Sequence, residues 1–383
     1  MTAVLGIVGG GQLARMMALD AARLGVDVRV LAGPDDEGVR GMFDVLDGRF
    51  DDLSALRKLA EQVDVVTFDH ELVPLEAIRT LEDEGCVIRP GSSTLAFTDK
   101  LYQRQRFAAA GLPVPPFAEV STMEEVEAFA ATHGWPVVLK APRGGYDGRG
   151  VMIADDAQAA AEMVDGAAGR GLLVEAHQTL MQELAVVVVT SVDGHRTAYE
   201  PVQSIQVDGM CREIQSVHGN LHPDLAMTAM RLAQQVADLV GSIGVLAVEL
   251  FVVGNTDGQP ALLVNEVAPR PHNSGHHTID SCVTSQFENH ARAVLGWPLG
   301  SVTQRSRASV MVNVVGGTGD PRARVPSVGP DVNIHLYDKT PRPGRKVGHV
   351  TVVGDDHAIA TAKARAAGAI LEGRLVAAEG PMT

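Results

Sequence analysis

Apolar runs of five or six residues alternate with longer amphipathic stretches over the first 97 positions. Ala3–Val8 carries no charge and runs into Gly9-Gly10-Gly11. Gln12–Leu24 then places Leu13, Met16, Met17 and Leu24 on one face of a helix. Val26–Leu31, Val63–Phe68 and Cys86–Ile88 read as further strands, with a helix over Leu53–Gln62. Uninterrupted apolar strands separated by helices predict a parallel sheet covered on its faces. Thr98–Gly111 reads as a helix with Thr98 as its N-cap and Gly111 and Pro113 as its stop. Pro113, Pro115 and Pro116 stiffen the connection into a second unit. There the pattern gives strands Val137–Leu139, Leu172–Glu175 and Glu183–Thr190, and a long helix Asp224–Ser242. Strands Ala247–Val253 and Ala261–Glu266 follow, joined by a turn over Gly254–Gly258. A helix Ser285–Leu295 ends at Gly296. From Trp297 a smaller unit offers strands Ser309–Val315, Asn333–Tyr337 and His349–Val353, and a last helix Ile359–Leu371. Three units are expected: 1–97, 98–296 and 297–383.

A chain of 383 residues with 45% hydrophobic content has enough apolar surface for two or three domains with their own cores. The net charge of −15 argues against non-specific binding to nucleic acid or to anionic membranes. No apolar run reaches the roughly 18 residues of a membrane span. The N-terminus enters a strand at once, without the basic region of a signal peptide. A cytoplasmic location is expected. Cys86, Cys211 and Cys282 lie far apart in odd number, which argues against a disulfide framework, and are expected to be small buried hydrophobes.

The segment with the most chemistry is Gly144-Gly145-Tyr146-Asp147-Gly148-Arg149-Gly150, after a strand ending in Lys140. Four glycines in seven residues leave backbone amides open to a phosphate, with Lys140 and Arg149 as cations. A plain hairpin loop would need fewer residues. Further along, Glu249 and Glu266 end two apolar strands. Seventeen positions apart, they suit adjacent antiparallel strands and one shared site. Two carboxylates about 4 Å apart repel by roughly 4 kcal/mol at an effective dielectric near 20. A divalent cation reverses that sign, and oxygen ligands beside a triphosphate point to magnesium rather than to two surface glutamates. Arg270-Pro271-His272-Asn273-Ser274-Gly275-His276-His277 follows. Pro271 and Gly275 break the helix that would align its histidines for zinc, so an anion-binding loop fits better. Lys339, Arg342, Arg345 and Lys346 concentrate positive charge in an acidic protein, as a clamp for a phosphorylated substrate would. Gly9, Gly11 and Ala14 stand at dinucleotide-fingerprint positions, but no acidic residue follows at the spacing of a nicotinamide site.

Together these segments resemble the ATP-grasp superfamily, and within it the 5-(carboxyamino)imidazole ribonucleotide synthase family. The resemblance covers almost the whole chain and rests on Gly11-Gln12-Leu13-Ala14-Arg15-Met16, the 144–150 loop, Asn265–His276, Tyr337-Asp338-Lys339 and Arg342–His349. It implies an α/β fold: a Rossmann-like preATP-grasp domain, an ATP-grasp domain with a lid over about 113–180, and a small C-terminal domain. It further implies magnesium, with ATP, bicarbonate and aminoimidazole ribonucleotide as partners, and a homodimer. Lys100, Lys140, Gly145, Tyr146, Asp147, Gly148, Arg149, Gly150, Val151, Glu175, Glu183, Gln206, Asn265 and Glu266 would contact ATP, with Glu249 and Glu266 on the metal. Gln12, Arg15, Glu71, Asn273, Ser274, Lys339, Arg345 and Lys346 would hold the other substrates. Lys140, Asp147, Arg149, Arg270 and His276 would act in catalysis. The implied reaction is ATP-dependent carboxylation of the ribonucleotide through carboxyphosphate, in purine biosynthesis. The rival within the superfamily is a formate-dependent glycinamide ribonucleotide transformylase. Thr67-Phe68-Asp69-His70-Glu71 departs from the commoner family form, although Glu71 keeps its place.

Overall fold

The computed structural model describes residues 2–144, 150–217, 221–254, 258–317 and 319–374. Four parallel strands open the fold, in the spatial order Asp44–Asp47, Asp27–Ala32, Val4–Val8, Val65–Phe68. The expected fourth strand at Cys86–Ile88 is reduced to one parallel bridge, Val66 to Ile88. The edge strand Asp44–Asp47 and the helix Leu75–Asp83 have no counterpart in the apolar pattern, because the first is half-exposed and the second short. Helix Gln12–Arg23 packs through Met17 and Ala21 in one core with Phe287 and Ala291 of helix Gln286–Leu295. The parallel sheet is thereby fixed against the rest of the molecule.

The dominant element is a nine-stranded sheet. Its order is Pro260–Ala268, Gly244–Gly254, Leu180–Thr190, Val202–Val207, Met210–Ser216, Ala308–Val315, Lys346–Gly354, Asn333–Leu336, with Arg196–Ala198 added beside Leu180–Thr190. Glu213 pairs with Val312, so the sheet runs without a break into the third unit. Helix Pro223–Val240 covers one part through Ala229, Leu232, Ala233, Val236 and Val240. Helix His357–Leu371 covers another through Ala360, Ala364 and Ala367.

A third, four-stranded antiparallel sheet stands apart: Phe117–Val120, Leu172–Ala176, Val137–Lys140, Val151–Ala154. Helices Met123–His133 and Ala157–Ala167 close one of its faces. Lys140, nearly buried, ends one of its strands. The helix expected from Thr98 starts one residue later. Asp99 is the cap and accepts from the amides of Leu101 and Tyr102, while the Thr98 hydroxyl donates to Leu95 O. A carboxylate is the stronger acceptor for those helix amides. All three cysteines are free thiols, but only Cys282 is buried; Cys86 and Cys211 are partly exposed, against expectation.

Candidate active site

The site is built where the four-stranded sheet faces the strands Gly244–Gly254 and Pro260–Ala268. Glu249 and Glu266 are direct cross-strand partners, as their spacing predicts. The register then slips by one residue, since Leu250 pairs with Val264 and leaves Asn265 unpaired. Such a bulge re-aims a side chain. It lets the consecutive residues Asn265 and Glu266 both face the site: Asn265 Oδ1 accepts from Lys140 Nζ at 3.3 Å, and Glu266 pairs with Lys100 Nζ.

Behind them lies a buried ionic triad. Arg104 and Glu175 are each 2% exposed and Lys140 is 7% exposed. Glu175 Oε2 stands 2.6 Å from Lys140 Nζ, while Oε1 accepts from Arg104 Nε at 2.6 Å. The Arg104 guanidinium also donates to Val264 O (2.6 Å) and to the bulged Asn265 O (2.8 Å). One side chain thus ties the helix Lys100–Ala109, the four-stranded sheet and the bulge together. Burial pulls Lys140 below its ordinary value, against the pull of Glu175. For Lys100, burial acts the same way, but Glu266 outweighs it and holds the amine up. Glu266 is held down, because Lys100 and Lys140 overcome the effect of its burial.

Glu183, on the neighbouring strand, is pushed up to about 7 by burial and then by the charge of Glu249. Gln206 offers it a hydrogen bond. Three glutamates share this wall with Lys100 and Lys140, and among the described residues no group of three or more His, Cys, Asp or Glu is placed to hold a metal ion as it stands. His272 Nε2 reaches Glu249 at 3.1 Å.

A second cluster gathers at the ends of the parallel strands. Gly9 has φ +102°, and a Cβ there would collide with the Asp69 carboxylate, which accepts from Gly11 N at 2.7 Å. Lys339 Nζ donates to Gln12 Oε1. Arg345 Nη1 is 3.0 Å from Glu37, and Glu37 accepts in turn from Thr340 N. Arg15 donates to Gly38 O at 2.8 Å. Lys346 opens a strand opposite Val315. Burial, and then the nearby Arg345, lower Lys339 to about 8. Its cationic form is lost as pH rises through that value. If Lys339 grips an anionic substrate, kcat/KM for that substrate falls above pH 8, and Lys339→Arg moves the fall to higher pH. A pH profile unchanged in the arginine variant removes Lys339 from binding.

Arg270 Nε lies 3.2 Å from Glu71 Oε1, and Glu71 in turn helps hold up Lys100. Asn273 Nδ2 points to Cys211 Sγ, and Ser274 Oγ lies 2.9 Å from His272 Nδ1. His276 is not brought into the site. It is 0% exposed, its Nδ1 accepts from Gln286 Nε2 at 3.2 Å, and its ring packs beside Phe287 and His349. The short 3₁₀ turn Asn273–Gly275 sends the two histidines in different directions. Burial keeps His276 well below its ordinary pKa. Val151 begins the strand opposite Lys140, and Gly150 O accepts from Ala141 N at 2.9 Å; Gly145, Tyr146, Asp147, Gly148 and Arg149 lie outside the described residues. Sequence reasoning missed Arg104, His272 and Glu37. His272 sits inside the motif it quoted; the other two carry no local signal.

Three family models match in succession: a ribonucleotide synthetase preATP-grasp domain over residues 1–99, an ATP-grasp domain over 105–287, and a phosphoribosylaminoimidazole carboxylase C-terminal domain over 309–363. The N5-carboxyaminoimidazole ribonucleotide synthase of Mycobacterium tuberculosis is 46% identical, over 92% of this chain and 84% of its own. The crystal structure of the N5-carboxyaminoimidazole ribonucleotide synthetase of Thermus thermophilus has 36% identity and a TM-score of 0.84, covering 99% of this chain and 100% of that one. That of the Aspergillus clavatus N5-carboxyaminoimidazole synthase, in complex with ADP and 5-aminoimidazole ribonucleotide, has 28% identity and a TM-score of 0.87, covering 98% and 99%.

Proposed function

The chain belongs to the N5-carboxyaminoimidazole ribonucleotide synthase family, and on that premise we propose how its residues divide the work. It is an ATP-dependent ligase that carboxylates 5-aminoimidazole ribonucleotide in purine biosynthesis. A bicarbonate oxygen attacks the γ-phosphorus of ATP, and ADP leaves with the electron pair of the broken P–O bond. The exocyclic amine of the ribonucleotide then bonds to the carboxyl carbon of carboxyphosphate, or of carbon dioxide freed from it. Phosphate departs and the amine loses a proton.

Lys140 and Arg270 spread the charge of the transferring phosphoryl group, and Lys100 compensates the acidic wall. Glu249 and Glu266 would hold magnesium, which when bound neutralises phosphate charge. Glu175, Glu183, Gln206 and Asn265 border the nucleotide, with Gly145–Val151 as the phosphate flap. Lid closure excludes water, which would hydrolyse the acyl phosphate. Gln12, Arg15, Lys339, Arg345 and Lys346 receive the ribonucleotide, and Glu71, Asn273 and Ser274 lie on its path towards Arg270. His276 acts only through its neighbours. The family reading carries a homodimer with it. No helix among the described residues is long and apolar enough to cross a membrane; we place the enzyme in the cytoplasm.

The observation that supports this division is the convergence of Lys100 and Lys140 on the bulged Asn265–Glu266 pair, apart from the basic cluster of Lys339 and Arg345. ADP release, measured with ATP and magnesium, should rise strongly when bicarbonate and aminoimidazole ribonucleotide are added together. Formate with glycinamide ribonucleotide should leave it unchanged. Stimulation by the second pair would favour the transformylase instead.

A further inference from the structure

A continuous line of side-chain hydrogen bonds crosses the floor of the site. It starts at Gln206, the side chain that lowers its neighbour Glu183. Gln206 Nε2 donates to Ser204 Oγ at 2.9 Å, and Ser204 Oγ donates to Cys211 Sγ at 3.5 Å. From the other side, Asn273 Nδ2 donates to the same sulfur at 3.3 Å. The register makes this possible: Ser204 pairs with Glu183, and Gln206 with Cys211. Burial raises the Cys211 thiol, so the sulfur stays protonated and directs its own weak donation towards Glu213 O. As an acceptor it receives two hydrogens, one of them from Asn273.

This fixes which way the Asn273 carboxamide points. Its nitrogen gives one of its two hydrogens to the sulfur, and its Oδ1 is buried without a hydrogen-bond partner among the described residues. A buried acceptor left unmatched is costly, roughly 1–3 kcal/mol, and calls for a donor when the site is filled. The sulfur lies within electrostatic reach of both Glu249 and Lys346, between the acidic wall and the basic clamp. Resting on the function proposed above, the reactant that brings N–H donors to this position is the ribonucleotide, through its exocyclic amine.

We propose that Cys211 is a positioning residue: its sulfur holds the Asn273 carboxamide so that Oδ1 accepts from the amine of the ribonucleotide and orients it for carboxylation. A hydrogen bond is directional, so an amide free to flip would present its NH₂ to the amine half of the time.

The test is a double-mutant cycle read as KM for the ribonucleotide against kcat. Cys211→Ala should raise that KM about fivefold, the scale of one neutral hydrogen bond, with kcat and ribonucleotide-independent ADP release within about twofold. Cys211→Ser, which keeps an acceptor, should restore KM. In an Asn273→Ala background, Cys211→Ala should add nothing. An equal rise in both backgrounds, an equally impaired serine variant, or a loss in kcat alone would overturn the proposal. A second readout is independent of turnover: hydrogen exchange of the Asn273 side-chain amide, followed by NMR in the ligand-free protein. It should be slow in the wild type and faster in Cys211→Ala; equal rates would refute the positioning role whatever the substrate. Absence of ribonucleotide-stimulated ADP release in the wild type would instead sink the functional reading, with the exchange measurement still deciding the role of Cys211.

Discussion

Glu266→Gln is expected to cut ADP release about a thousandfold, near 4 kcal/mol of transition-state stabilisation, while the protein still melts cooperatively. The substitution keeps the shape of the side chain and removes one charge. That charge has two partners on opposite sides. Across the ladder it faces Glu249, the other residue proposed above to hold magnesium. Beside it stands Lys100, whose amine is held in its charged form by Glu266 against the effect of burial. With glutamine in place, the wall loses cation affinity and Lys100 loses its counter-charge. Glu183 feels the opposite change: relieved of one nearby anion, it ionises more readily. Raising magnesium should recover part of the activity, because affinity is what was lost. Turnover within tenfold of the wild type at ordinary magnesium would remove Glu266 from the metal role.

How much of this was legible in the sequence follows from how local each signal is. The parallel strands at Val4–Val8 and Asp27–Ala32 were, because burial on both faces writes an unbroken apolar run. The lid helices Met123–His133 and Ala157–Ala167 were not, since alanine-rich helices over a small sheet need only a narrow apolar stripe. The hairpin Val202–Ser216 also went unread, although Asp208 and Gly209 at its turn both take positive φ and are the residues such turns favour. In the site, the spacing of Glu249 and Glu266 predicted their pairing, but a bulge cannot be counted from one strand alone. Hence Asn265 was expected to contact ATP without any account of how two consecutive residues share a face. Arg104 was invisible for the same reason: its partners Glu175, Val264 and Asn265 are brought to it only by tertiary packing. His276 was assigned to the reaction only by its place in the family motif, and its ring lies enclosed beside Gln286, Phe287 and His349.

The same triad supports the second large effect. Glu175→Gln should destabilise the ligand-free protein by about 3–5 kcal/mol, the scale of breaking a buried ion pair from one side. In the wild type two buried cations, Arg104 and Lys140, share one anion. Arg104 already lowers Lys140, and among the lowering influences it is second only to burial. Take the anion away and two like charges face each other in a poorly hydrated space. Lys140 is the one that can yield, since an amine deprotonates where a guanidinium does not. Arg104→Met should cost less by charge alone, because it leaves the neutral pair Lys140–Glu175; what it forfeits is the satisfaction of the Val264 and Asn265 carbonyls, loosening the lid from the bulge. The order of stability is therefore wild type, then Arg104→Met, then Glu175→Gln, measured by denaturant unfolding. ATP with magnesium should narrow the gap for Glu175→Gln more than for Arg104→Met, because phosphate supplies Lys140 with the anion it has lost. If nucleotide stabilises both variants equally, Lys140 does not face the phosphates, and the triad is a structural clamp behind a site that lies elsewhere.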